Sequence, residues 1–454
     1  MIPSKETLIA TNRFGLGASQ NDITHARSNP RQWLHDQINT EYAIPNIFMA
    51  QPSSEILLNE AYENRRLKNI DAKKAAGKIR RRGFNQSLRA RLTNQVQTER
   101  PFAERLVMFW SNHFTVSRTR GLIGPAIPSY ENEAIRPFIF SRFEDMLVSV
   151  TQHPCMLIYL DNTSSIGPNS RQGARRGKDL NENLAREVLE LHTMGSQGGY
   201  TQTDITNFAK ILTGWTVSRK RKNPKQQKVP PGKFQFNNRT HEPGPQILLG
   251  KTFNQNGKRQ GVQALREIAR HPSTANFIAT KLVRYFINDN PAKADIKTIA
   301  RVFRKTNGDL AEVSTALIDL KSAWKTSGTK IKTPEELIIS AMRALQIEAP
   351  LSLPRRQLLF PALKSMGQEV FHAPSPAGWP DEAKAWIAPE SLMHRIEWVR
   401  EFSRQSAAAI NPLEIFDNTI GPFASDEAKR MIKGAPSRED GLALIFSSPA
   451  FQRR

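Results

Sequence analysis

Residues 181–195 have the sequence Asn-Glu-Asn-Leu-Ala-Arg-Glu-Val-Leu-Glu-Leu-His-Thr-Met-Gly, and this stretch gives the clearest indication of the fold. Leu184, Val188 and Leu191 recur at spacings of four and three residues, which is the pattern of an amphipathic helix. We expect this apolar stripe to face the protein core. We expect the helix to end before Gly195, because glycine commonly follows the last helical turn.

The other side of this predicted helix carries polar and charged side chains. At 100° per residue, Asn183, Arg186 and Glu190 lie opposite the apolar stripe, and Glu187 lies at its edge. A charged helix face is usually solvated, so one interpretation is an ordinary surface helix. The alternative is a functional site, which the density of Asn, Arg, Glu and His in this short stretch favours.

The charge of the chain is concentrated in a few segments. The net charge of the 454 residues is +23, and most of it comes from residues 64–93, 166–178 and 217–233. These segments predict either an anionic ligand or mobile, solvated insertions. Except for Phe84 they lack interleaved aromatic residues, so sequence-specific binding of nucleic acid is not supported, although attraction to phosphate backbones is compatible with them.

The composition disfavours several other classes of protein. No run of about 18 apolar residues is present, so we expect no transmembrane helix. The first residues lack a continuous apolar segment, which predicts a cytoplasmic protein without a signal peptide. The single cysteine, Cys155, cannot form an internal disulfide and is expected to be a buried apolar residue.

Helical patterns dominate the rest of the chain, which predicts a mainly α fold. We expect a large multi-helix single domain with long basic loops and one short hairpin over residues 234–253. Residues 1–60 would supply its N-terminal helices, and residues 61–100 a basic helical arm inserted into it. Residues 101–454 would form the main body, with a flexible basic loop at 217–233.

Two capping boxes mark the starts of further helices. They are formed by Thr201 with Asp204 and by Thr333 with Glu336. Capping is therefore the structural alternative to a binding role for Asp204. Another helix is predicted near residues 355–366.

Polar residues from several segments are candidates for one site. The candidate catalytic residues are His113, Arg186, Glu187, Glu190 and His241. The candidate binding residues are Asn183, His192, Tyr200, Asp204 and Trp379. Such a cluster would supply acid–base catalysis together with a cation that holds an anionic substrate.

The cluster predicts a specific geometry. Since buried charges must be paired, we expect Glu187 or Glu190 to lie within hydrogen-bond distance of Arg186, His113 or His241, beside a cavity. His113 lies on the apolar side of a helix that starts at Pro101, so a satisfied core histidine is its structural alternative.

No cofactor is assigned by the sequence. Glu187 and Glu190, three residues apart, are compatible with a divalent metal if histidines from other segments join them. Against this, Glu190 and His192 project about 200° apart on a helix, and the paired Glu-x-x-His motifs of di-iron bundles are absent. The chain also lacks a Gly-x-Ser-x-Gly elbow and a complete phosphate-binding loop.

Several motifs, in their order along the chain, resemble the bacterial family called domain of unknown function 1800 (DUF1800). The motifs are Phe109-Trp-Ser-Asn-His113-Phe114, Tyr159-Leu-Asp161, Asn181-Glu-Asn-Leu-Ala-Arg186-Glu187, Gly199-Tyr200-Thr-Gln202, Leu212-Thr-Gly-Trp215 and Gly378-Trp379-Pro380. The resemblance covers nearly the whole chain but implies no defined activity. Family members are often exported and often lie beside a second family that resembles sulfatases. The resemblance therefore implies export as an alternative to the cytoplasm, and a scaffold for a protein partner as an alternative to an enzyme.

Overall fold

The structure is a computed structural model that describes most of the chain. The described residues are 2–39, 42–176, 180–221, 223–325, 328, 330–347, 359–407 and 410–454, without the side chains of residues 176 and 224. The predicted helix at 355–366 lies partly outside them, and its described part is the helix Phe360–Ser365. Small parts of the basic segments 166–178 and 217–233 also lie outside the described residues.

The described chain is mainly helical, which confirms the predicted fold class. The α-helices are Lys5–Ile9, Gln20–Ala26, Pro30–His35, Asn46–Met49, Ser54–Arg66, Ile70–Gln97, Pro101–His113, Ile127–Tyr130, Phe143–Gln152, Pro154–Tyr159, Gly173–Arg176, Asn183–Glu187, Gln202–Leu212, Lys258–Ala269, Pro272–Phe286, Lys293–Lys305, Leu310–Ile318, Pro334–Ala344, Phe360–Ser365, Pro389–Ser406, Pro412–Thr419, Asp426–Lys433 and Arg438–Ser447. The π-helices are Ala10–Phe14, Glu131–Ile135 and Val188–Thr193. The 3-10 helices are Gly124–Ala126, Arg136–Phe138, Asn162–Ser164, Pro224–Gln226, Lys321–Trp324, Ala383–Ala385 and Gly421–Phe423. Among the described residues, no helix combines the length and the apolar composition needed to cross a membrane.

Short strands in the described residues form two antiparallel pairs. The pairs are Trp215–Val217 with Phe234–Phe236, and Gln246–Leu248 with Lys251–Phe253. The hairpin predicted over 234–253 is thus confined to its second half. Leu249 and Gly250 make its two-residue turn, and both have the positive φ, 51° and 73°, that such a turn requires.

The central helix, residues 183–193, changes from α to π geometry at Val188. The hydrogen bonds of a π turn run from residue i to i+5, so each turn contains more residues than an α turn. Leu184, Val188 and His192, four residues apart, are therefore fully buried, whereas Leu191 is only half-buried. The predicted stripe is confirmed for Leu184 and Val188 and wrong for Leu191, because the wider turn places His192 on the core side.

The basic helix Ile70–Gln97 has two unlike halves. Up to Gly83 its residues are exposed or half-buried, and from Phe84 onward many of them are buried. One interpretation of the basic segments was that they are solvated insertions. For this helix, only the first half fits that interpretation. The second half packs against the helix Pro334–Ala344 and belongs to the core.

Buried ion pairs join the second half of this helix to the rest of the core. Arg91 Nε lies 3.0 Å from both carboxylate oxygens of Glu131, and its Nη1 pairs with Glu335. A second pair joins Arg105 to Glu336. Since all of these side chains are shielded from water, each charge depends on its partner.

Replacing Val188 by Asp should lower the free energy of unfolding by several kcal/mol, because an unpaired carboxylate would be buried in the core. Leu191→Asp is the matched control on the same helix and should cost much less, since its side chain is half-buried. Urea denaturation of both variants measures the difference. Equal costs would contradict the π register.

Replacing Arg91 by Met should lower the free energy of unfolding by about 3–5 kcal/mol, because Glu131 and Glu335 would lose a buried partner. Arg81→Met removes the same charge from the exposed half of the same helix and should be nearly neutral. The check is the urea midpoint of each variant. If both variants unfolded at the wild-type midpoint, the whole basic helix would be a dispensable arm.

Candidate functional site: the central helix and a basic cavity

Arg186 joins the central helix to the helix that follows it. Its Nη2 lies 3.1 Å from Glu182 Oε2 and 3.0 Å from Gln202 Oε1. Glu182 also accepts hydrogen bonds from Gln202 Nε2 at 2.8 Å and from Thr206 Oγ1 at 2.6 Å. The Arg186 side chain is 40% exposed. It is thus part of a satisfied network at the protein surface, where it connects two helices.

Glu187 and Glu190 do not converge with the other candidate catalytic residues. In the described part of the chain, neither carboxylate makes a hydrogen bond or ion pair with Arg186, His113 or His241, so that prediction is wrong. The physical reason is that Arg186 forms its ion pair with Glu182, which lies one helical turn earlier at the favourable spacing of four residues. The two histidines bond to backbone atoms elsewhere.

Glu187 nevertheless has an unusual environment. It is half-buried, and burial, reinforced by Glu190 and opposed by Arg186, raises the pKa of its carboxyl group above the ordinary value. The negative charge of Glu187 acts on Tyr159, whose pKa burial raises to about 12. Burial and then Glu190 also raise the pKa of Tyr200. In Glu187, Tyr159 and Tyr200, the surroundings therefore favour the protonated form of the side chain.

His113 and His192 are core residues. His113 Nε2 donates to the backbone carbonyl of His192 at 3.0 Å, and the two rings lie 6.2 Å apart. Both nitrogens of His192 and Nδ1 of His113 have no hydrogen-bond partner among the described residues. Burial, with the charge of Lys281, lowers the pKa of His192 to about 3 and that of His113 well below its ordinary value. Both rings are therefore neutral at ordinary pH.

His241 and its neighbour Glu242 form hydrogen bonds with residues of two other segments. His241 Nδ1 donates to the Thr213 carbonyl at 2.9 Å. Glu242 accepts from the backbone and the side-chain nitrogen of Asn169, at 2.9 and 2.6 Å. These contacts place His241 against backbone rather than beside the central helix. Among the described residues, no group of three or more His, Cys, Asp or Glu is arranged to hold a metal ion.

The candidate binding residues on the central helix and after it lie near the surface. Asn183 is exposed and Tyr200 is half-buried. Asp204 completes the capping box with Thr201, which confirms the predicted helix start. The other oxygen of Asp204 accepts from the Leu249 backbone N–H at 2.7 Å. The contacts of Asp204 are thus structural.

Trp379 borders a small cavity at the end of the helix Pro101–His113. Its backbone N–H and carbonyl both bond to the side chain of Asn112, at 2.8 and 2.9 Å. Gly378 (φ 80°) allows this approach, because a Cβ there would lie 2.6 Å from Asn112 Oδ1. The cavity has a volume of about 80 Å³ and is also lined by Glu335 and Asp381. That is room for only a few water molecules.

A much larger cavity lies between the N-terminal helices and the C-terminal segment. Its volume is about 730 Å³, which is in the range of small-molecule binding sites. Its described lining includes five basic residues and no acidic one. The basic residues are Lys5, Arg13, Lys332, Arg453 and Arg454. Much of the remaining wall is apolar, and it includes Leu8, Ile9, Ile420, Phe423 and Phe451. We call this space the basic cavity.

A short antiparallel bridge positions three of these cations, Lys332, Arg453 and Arg454. Ile331 is paired with Arg453, and the Arg454 N–H donates to the Lys330 carbonyl at 2.9 Å. Because side chains alternate along extended backbone, residues 330, 332 and 454 share the other face. That face is the buried one, since Lys330, Lys332 and Arg454 are 1%, 2% and 6% exposed. The fold thus buries three cations on one side of two paired segments.

Two buried cations of the basic cavity, Lys332 and Arg454, share one carboxylate, that of Glu336. Glu336 pairs with Arg105 and, at 3.0 Å, with Arg454 Nε, while Arg454 Nη1 has no hydrogen-bond partner among the described residues. The Lys332 ammonium makes no hydrogen bond or ion pair there and lies 3.9 Å from the centre of the Phe451 ring. Burial, opposed by Glu336 and reinforced by Arg105 and Arg454, lowers the pKa of Lys332 to about 7.

Sequence reasoning missed the basic cavity. The local pattern is the alternation Lys330-Ile331-Lys332, in which lysines are ordinarily assigned to the solvated face. Only the pairing with Arg453 and Arg454, more than a hundred residues away, makes that face a buried one. A pattern within one segment does not contain this information.

The buried histidines predict a loss of stability in acid. The unfolded chain binds a proton on His192 below about pH 6.5, and the folded chain does so only near pH 3. The free energy of unfolding should therefore fall as the pH drops through this window, with His192 contributing about 2 kcal/mol between pH 7.5 and pH 5.

His192→Phe should reduce this pH dependence, whereas His25→Gln, at an exposed histidine, should leave it unchanged. Urea denaturation at both pH values provides the test. An unaltered dependence in His192→Phe would mean that His192 is charged in the folded protein.

Comparison with known protein families identifies a match over nearly the whole chain. The family model described as "Protein of unknown function (DUF1800)" matches residues 9–453. No match was found among curated proteins or among solved structures. The match covers nearly the whole chain and confirms the resemblance seen in the sequence motifs. The chain therefore belongs to the DUF1800 family.

Proposed function

We propose that the protein binds a small anionic molecule with an apolar part, and that the basic cavity is the binding site. The observation that carries the proposal is that two buried cations, Lys332 and Arg454, share the carboxylate of Glu336 with Arg105 beside a cavity of about 730 Å³. The sequence suggested that an anionic ligand binds at the central helix or at the basic surface segments. We now propose the basic cavity as its binding site instead.

The charges around Glu336 support an anionic ligand. Arg105, Arg454 and Lys332 all interact with this one carboxylate. Buried charges are stable only when they are paired, and a guanidinium binds carboxylate or phosphate oxygens through two parallel N–H bonds. An anion in the cavity would supply the missing partner.

The walls support a ligand that also has an apolar part. Leu8, Ile9 and Phe423 line the same space as the cations. A free inorganic ion would leave this apolar surface in contact with water, whereas an aliphatic or aromatic group would cover it. An amphipathic acid matches both parts of the lining.

The central helix remains a second candidate for chemistry. The favourable observation is Glu187, a half-buried carboxyl group with a raised pKa and no hydrogen bond in the described part of the chain. General acid–base catalysts are often tuned in this way. A scaffold role for a protein partner stays the alternative to both enzymatic and ligand-binding functions, and it is the expected outcome if no small anion binds.

Octanoate should bind the wild-type protein in isothermal titration calorimetry and raise its melting temperature, because binding to the folded state alone stabilises it. Octanol, which lacks the charge, and inorganic phosphate, which lacks the chain, should bind more weakly. Lys332→Met removes a cation that has no described ion pair, and it should weaken octanoate binding at least about tenfold.

The matched control is Lys433→Met, which removes one charge from an exposed position outside the lining. This variant should bind octanoate as the wild type does. Octanol binding as tightly as octanoate, or equal affinities in both variants, would contradict the proposal.

A further inference from the structure

Lys332 differs in chemistry from the arginines of the basic cavity. An arginine stays protonated in proteins, whereas a buried lysine readily loses its proton and then becomes a nucleophile. Lys332 is 2% exposed, and its amine has no hydrogen bond or ion pair among the described residues. Its pKa, lowered to about 7, leaves about a thousandfold more neutral amine at neutral pH than an ordinary lysine has.

We propose that Lys332 forms an imine with a 2-oxo acid whose carboxylate is bound by the guanidinium of Arg454. This inference rests on the proposed function, because it assigns a ligand class to the same cavity. The amine nitrogen attacks the carbonyl carbon and forms a carbon–nitrogen bond. The two hydrogens of the amine leave with the carbonyl oxygen as water, so the step needs no oxidant or reductant.

The extended bridge places on one face the two side chains that this ligand class requires, and the charge of Arg454 acts on Lys332. Residues 332 and 454 are diagonal neighbours on one face of the bridge, and long side chains at such positions approach each other. In a 2-oxo acid the carboxylate is bonded directly to the carbonyl carbon. An amine and a guanidinium side by side therefore match its two functional groups, and the apolar wall at Ile9 and Phe423 is left for the rest of the molecule.

Lys330 is a matched internal control for this chemistry. It lies on the same face of the bridge and is as deeply buried as Lys332. Its ammonium, however, pairs with Asp289 and with the carbonyl of Asp381. Burial lowers the pKa of Lys330 as well, but donation to Asp289 opposes this shift by stabilising the protonated form, so Lys330 should react less than Lys332.

The test is reductive trapping with 2-oxooctanoate and sodium cyanoborohydride at pH 7, followed by intact-mass measurement and peptide mapping. The expected product is one adduct, with the mass of the acid minus water plus two hydrogens, on Lys332. Lys332 should carry at least about tenfold more label than Lys330 or any exposed lysine. Octanoate should compete and reduce the labelling.

Octanal and two variants complete the experiment. Octanal has a carbonyl but no carboxylate, so it should label Lys332 with less preference over exposed lysines. Lys332→Arg keeps the charge, and it should lose the label while it still binds octanoate. If this variant fails to fold, the peptide map and the octanoate competition on wild-type protein decide the question.

The outcomes separate the two proposals. Octanoate binding without selective labelling of Lys332 would overturn the imine and leave the proposed function standing. Labelling that octanoate does not reduce, or equal labelling of Lys330, would also overturn the imine. Neither octanoate binding nor labelling would overturn both.

Discussion

Buried arginine–carboxylate pairs hold distant parts of this chain in register. Arg91 connects Glu131 to Glu335, and Arg105 joins Glu336. The partners come from elements far apart in sequence, so each pair fixes how two helices meet. Removing one partner of a buried pair is costly, whereas apolar replacement of a whole pair is often tolerated. We therefore interpret the pairs as constraints on geometry more than as sources of stability.

This constraint reaches the candidate site through two adjacent residues. Glu335 belongs to the network around Arg91, and Glu336 faces Arg105 and Arg454 at the edge of the basic cavity. Both lie in the first turn of the helix Pro334–Ala344, directly after the bridged segment that carries Lys332. A short segment therefore ties the packing of the helices to the position of the cations.

The sequence predicted what is determined locally. The capping boxes at Thr201 and Thr333, the buried end of the helix at His113 and the core positions of Leu184 and Val188 all follow from short-range patterns, and the structure has them. The π turn was not predictable in the same way, because its hydrogen bonds to i+5 change the helical period that the pattern assumes. The basic cavity was missed because its cations come together only through contacts across the whole chain.

A cavity that buries cations has a consequence for the empty protein. Each unpaired buried charge destabilises the folded state, and under the proposed function a bound anion would offset this cost. The amine of Lys332 reduces this cost by giving up its proton near neutral pH, a response that arginine does not have. The same property that lets the protein tolerate a buried lysine beside Arg454 also makes that lysine nucleophilic. Under the proposed imine chemistry, tolerance of the empty cavity and reactivity toward a carbonyl group would have one physical origin.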